Sequence, residues 1–131
     1  MNRTNKVVLA ALVAGLLAGP ALVGRVHAAD ANEDAIKEVM KTYHKAPKGT
    51  DPICKNALDG KASPEELKKL VAGYKVLAKA TAPKGDAASW KEKTTKLLAA
   101  AQALEKGDAD AASHYKEAVN CKACHSEHKP D

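Results

Sequence analysis

An all-α domain, built as an antiparallel four-helix bundle, is the fold class this 131-residue sequence predicts. Three observations predict it. Ala, Lys, Leu and Glu dominate after residue 30, and all four are good helix formers. No stretch alternates apolar and polar residues with period two, so no strand is expected. Four stretches repeat apolar residues at helical spacing, with Pro and Gly between them.

The first 28 residues stand apart from that domain. Arg3 and Lys6 form a basic head, and residues 7–23 are almost wholly apolar, broken by small residues and Pro20. Val26-His27-Ala28 then places small side chains at alternate positions. This is the layout of a secretory signal peptide over 1–28, with cleavage expected after Ala28 and a mature domain over 29–131. An uncleaved anchor is the alternative, but the run is near the short limit for spanning a bilayer. With the signal removed, no stable membrane association is expected.

The charge changes with that removal. The chain carries 21 basic and 16 acidic residues, a formal net of +5. Arg3, Lys6 and Arg25 belong to the signal; taking those three from the 21 leaves 18 against 16, a net of +2. The high pI is therefore mostly a property of the signal and gives no reason to expect nucleic-acid binding.

The first helix is expected over 31–44. Ile36, Val39, Met40 and Tyr43 share one face, and Pro47 and Gly49 stop it. A linker follows over 45–62. Its Thr50-Asp51-Pro52 is turn chemistry, and Ile53, Cys54, Ala57 and Leu58 suit one short helical turn tucked under the bundle. The second helix has the clearest start: Ser63 as N-cap, Pro64 at the first helical position and Glu66 closing a capping box. Leu67, Leu70, Val71, Tyr74 and Leu77 form its stripe, ended by Pro83 and Gly85.

The third helix starts on Asp86 or Ser89 and buries Trp90, Thr94, Leu97, Leu98, Ala101 and Leu104, with Gly107 as its C-cap glycine. Asp108 then caps a fourth helix after a very short connection, which makes the two antiparallel neighbours. The fourth helix buries Ala111, Tyr115, Ala118 and Val119 and is expected to continue unbroken to the C-terminal region.

In that last stretch stands C-K-A-C-H: Cys121, Lys122, Ala123, Cys124 and His125. This is the attachment pattern for a c-type haem. Thiols three apart on a helix share a face, so each can add to one vinyl group of the same porphyrin. His125 then lies under the iron as proximal ligand. One pentad predicts one covalent haem c. Thioether attachment takes place outside the bacterial cytoplasm, so the pentad and the export signal support each other and predict a periplasmic protein. Cys54 is left over, and a buried, inert thiol is the plainer reading of it.

A four-helix chain whose one C-x-x-C-H lies near its C-terminus resembles the class II cytochromes c, the cytochrome c-prime and cytochrome c-556 family. The resemblance covers about residues 31–129. Cys121, Cys124, His125 and the basic Lys129 carry it, and the Trp90 segment adds a weaker likeness to the family's third helix. Two features depart from the family: His128, where an aromatic is often found, and the loop with Cys54. The resemblance implies that the first helix covers the iron's other face. Low-spin members place a methionine there, and high-spin members a non-ligating apolar residue.

Met40 is the one methionine after the signal, and it lies on the apolar face of the first helix. It sits roughly 14 Å into that helix from the end that an up-down bundle sets beside the tail of the fourth. His44 lies one turn, roughly 6 Å, further along the same face and is the rival. Met40 is thus the expected distal ligand. His114 is roughly 16 Å from His125 along one helix, and His128 sits on the proximal side; both are expected on the solvated surface. Tyr43, Trp90 and Tyr115 are expected in the core. The lysines of the second and third helices are expected on a solvated face, where they could also dock an acidic redox partner. Lys122 and Lys129 are the better candidates for meeting haem propionates.

The leading functional expectation is a one-electron carrier, not an enzyme, serving redox partner proteins. Two axial ligands leave no site for a substrate. A five-coordinate, high-spin protein that binds NO or CO is the alternative if Met40 only packs. A haem-free zinc site of Cys121, Cys124, His125 and His128 is a third reading, although four ligands within eight residues of one helix rarely converge. A thioredoxin-like pair is weaker, since no βαβ pattern precedes the cysteines. A helix face of Ala and Val could pair two copies as a homodimer.

Overall fold

The computed structural model describes residues 23–131, with side-chain surroundings from residue 31 onward. Most of the expected signal segment, including its basic head, therefore lies outside the described residues. Six helices and no strand make up the described part: α1 Val23–Tyr43, α2 Ile53–Leu58, α3 Pro64–Lys79, α4 Ala87–Lys106, α5 Ala111–Ala118 and α6 Cys121–His128. Among the described residues, no helix is long and apolar enough to cross a membrane.

Local chemistry sets most of the ends. Ser63 Oγ accepts from the Glu66 amide at 3.2 Å, while Glu66 Oε2 accepts from the Ser63 amide at 2.8 Å. This is the expected capping box, with Pro64 in the first turn. Asp86, not Ser89, caps α4, its carboxylate accepting the Ser89 amide at 2.7 Å. Gly107 closes α4 in the left-handed conformation at φ 72°, which glycine adopts without a Cβ clash. The short helical turn expected in the linker is α2.

Three expected boundaries differ. The first helix begins at Val23 rather than 31, so its backbone runs through the expected cleavage point. Asp110, at φ 61°, precedes α5 in place of Asp108 and makes no side-chain cap bond. The fourth helix, expected to be continuous, is broken at Val119-Asn120. Asn120 Oδ1 accepts the Ala123 amide at 3.0 Å and so caps a new helix at the pentad. Asn competes with helix continuation through just this kind of bond.

The core gathers Ile36 and Val39 of α1, Ala57 of α2, Leu70, Val71, Tyr74 and Leu77 of α3, Trp90, Ala100 and Ala101 of α4, and Tyr115 of α5. Tyr74 and Tyr115 are fully buried and share a hydrogen bond of 2.9 Å between their hydroxyls. Leu97, Leu98 and Leu104, expected inside, are only partly buried, as is Tyr43. The broad contacts run α1–α3, α3–α4 and α4–α5, with α2 against α3 and smaller contacts of α2 with α5 and α4 with α6. Among the described residues α1 has a broad contact with α3 alone.

Candidate functional site

A cavity of about 440 Å³ is lined by residues of α1, α3, α4, α5 and α6, together with Cys54 of α2. That volume falls in the range of small-molecule and cofactor pockets, roughly 300–1,000 Å³. Leu77, Trp90, Leu97, Ala118 and Val119 supply apolar wall. Cys121, Cys124 and His125 all line it, and so do Met40 and His44. The fold thus brings the two thiols, the proximal histidine and both candidate distal ligands to one space, from two elements more than 75 residues apart in sequence.

The pentad is presented by α6 at i, i+3 and i+4. Cys121 and His125 are exposed, and Cys124 is half-buried. Burial pushes the Cys124 thiol upward. Cys54 was expected to be buried and inert. It is half-buried, lines the same cavity, and has its thiol raised by burial and by Cys121 nearby.

His44 follows the last residue of α1, its amide donating to the Met40 carbonyl at 3.1 Å. Its ring lies 5.6 Å from that of Tyr74, tilted by 38°. Desolvation, with a smaller contribution from the charge of His125, lowers its pKa to about 4. The imidazole is therefore neutral at ordinary pH, the form that binds metals. Its Nε2 is buried and has no hydrogen-bond partner. Gly73 lets this end of α1 come close: a Cβ there would strike the ring of Tyr43.

His128 is not on the surface, where it was expected, but 1% exposed. Its Nδ1 is 2.9 Å from the Lys84 carbonyl, Nε2 is 3.3 Å from Ser89 Oγ, and its ring meets the edge of Trp90 at 5.4 Å. A carbonyl accepts only, so Nδ1 carries a proton and donates it to Lys84. Lys93 donates to Ser89 and to Glu127 at 2.6 Å, and joins α6 to α4 beside it. Gly85 adds room, since a Cβ there would meet the Glu127 carbonyl at 2.6 Å. His128 is thus an anchor for α6. With both nitrogens engaged, it is not free to join Cys121, Cys124 and His125 around a zinc ion. Among the described residues no group of three or more His, Cys, Asp or Glu side chains is set to hold a metal ion. His114 is exposed, as expected.

Sequence reasoning missed two cationic residues of the lining. Lys93 and Lys96 of α4, expected on a solvated face, both border the cavity, while Lys122 and Lys129 do not. Their spacing from Trp90, at i+3 and i+6, was the available signal, since it sets them on the flank of the buried stripe.

The residues fit a covalently held haem: paired thiols, a histidine beside them, apolar wall, two cations and a buried nitrogen lacking a partner. No protein-family model matches the chain, and neither the curated proteins nor the solved structures include a significant match.

Proposed function

We propose that this protein is an exported, mono-haem c-type cytochrome that carries one electron at a time between partner proteins. One observation carries the reading: Cys121, Cys124 and His125 line the same largely apolar cavity as Met40 and His44 of the α1 end. When bound, haem supplies an iron that cycles between ferric and ferrous states. Everything else falls to the polypeptide. Cys121 and Cys124 would fix the porphyrin by thioether bonds, each S–H adding across one vinyl double bond with nothing lost. His125 would take the proximal position. Leu77, Trp90, Leu97 and Val119 would keep water from the ring, and a dry surround disfavours the more highly charged oxidised state. To meet the two propionates, Lys93 and Lys96 would exchange their present partners, Glu127 and Glu92, both at 2.6 Å.

The same reading accounts for the architecture. A haem in this cavity would bridge α1 to α5 and α6, and would complete an antiparallel four-helix bundle of α1, α3, α4 and the α5–α6 pair. If His125 and one of Met40 and His44 held the iron together, no position would be left for a substrate, which is why the reading is a carrier and not an enzyme. The periplasm is the compartment it implies, through the N-terminal signal layout and the chemistry of attachment.

Mass spectrometry of the exported protein tests the reading. The expected result is a mass raised by one intact haem, with neither Cys121 nor Cys124 open to alkylation after denaturation and Cys54 still reactive. A colourless protein with all three thiols free would overturn it. A haem protein whose ferrous iron binds CO at once would keep the cofactor and replace the carrier by a gas-binding protein.

A further inference from the structure

Resting on the haem reading, we propose that His44, through Nε2, supplies the sixth ligand to the iron, giving two imidazoles on the axis in place of the histidine–methionine pair that the sequence suggests. The argument turns on what each candidate lacks. His44 Nε2 is, among the described residues, the one side-chain nitrogen or oxygen that is buried without a hydrogen-bond partner. Leaving such a group unmet costs about 1–3 kcal/mol, and native structures rarely tolerate it without a reason. The ring of Tyr74 lies 5.6 Å away, but its hydroxyl bonds Tyr115 at 2.9 Å and makes no bond to His44. Met40 carries no such debt: a thioether is at most a weak acceptor and packs as a gap-filler without needing a partner.

Position agrees with chemistry. Both side chains line the cavity that Cys121, Cys124 and His125 also line, so His44 shares the space of the proximal histidine. The residue before it is pinned where the Tyr43 ring crosses Gly73. Nε2 has a lone pair available in the neutral imidazole, and a metal centre in this cavity would satisfy it. Two imidazoles should also place the reduction potential below that of a methionine-ligated haem, since methionine ligation raises it.

The experiment uses the exported, haem-loaded protein and its His44→Ala and Met40→Leu variants. Haem content by mass comes first: no covalent haem overturns the reading of function, whatever the ligand. Given haem, optical and electron paramagnetic resonance spectra identify the sixth ligand. The expected wild-type spectrum is low-spin and lacks the weak red methionine-to-iron band. Met40→Leu should keep that spectrum. His44→Ala should lose it, take up CO rapidly when reduced, and regain it on addition of free imidazole. A methionine band that vanishes in Met40→Leu would overturn the assignment, as would a high-spin wild-type protein. Should His44→Ala fail to accumulate, the wild-type and Met40→Leu spectra still decide between the two residues.

Discussion

Replacing His128 by Ala isolates the anchor of the haem-binding helix. The ring is 1% exposed, touches Trp90 edge-on, and bonds the Lys84 carbonyl and the Ser89 hydroxyl. Truncation removes most of a buried ring and two hydrogen bonds, each worth about 1 kcal/mol net. Water entering the gap can restore part of the loss at Lys84 and Ser89, both near the surface. The total should be roughly 2–4 kcal/mol, a large part of the 5–15 kcal/mol by which such domains are stable. Urea unfolding at neutral pH measures it, with the midpoint falling and the slope unchanged. His114→Ala is the control: that side chain is exposed, and its loss should stay within about 0.5 kcal/mol. His128→Gln, which can keep one of the two bonds, should fall between them. If His128→Ala costs no more than His114→Ala, then α6 is not held by this side chain, and the placement of His125 needs another explanation.

Three further outcomes are expected. Gly73→Val sets a branched side chain against the Tyr43 ring, so it should destabilise by about 1–3 kcal/mol and shift the optical spectrum of the haem-loaded protein by moving the end of α1; an unchanged midpoint and spectrum would show that the contact is slack. Tyr115→Phe strands the buried Tyr74 hydroxyl and should cost about 1–3 kcal/mol, whereas the double change Tyr74→Phe, Tyr115→Phe should cost less than the two single changes added, a non-additivity read by denaturant titration. The hydrogen bond from Lys93 holds the Glu127 carboxyl below the usual carboxylate range. Its contribution is therefore complete above the unfolded value near pH 4.3 and is lost as pH falls through the lower folded one. Glu127→Gln should flatten the acid limb of stability in that window, and parallel wild-type and variant curves would remove the Lys93–Glu127 pair from the account.

What the sequence alone determined is what adjacent residues decide among themselves. Ser63, Pro64 and Glu66 fix the start of α3, and Gly107 the end of α4, because capping and the left-handed turn act over three or four positions. The spacing of Cys121, Cys124 and His125 is of the same kind. Tertiary structure decided the rest. The break at Asn120 is a contest between continuing a helix and capping a new one, and it coincides with the docking of α6 onto α4. His128 read as a surface residue because the groups that bury it, Lys84, Ser89 and Trp90, lie some forty positions earlier. Met40 and His44 share a helix face, and no periodicity separates them. The difference lies in a nitrogen that packing has sealed from water without giving it a partner, and only the assembled fold creates that condition.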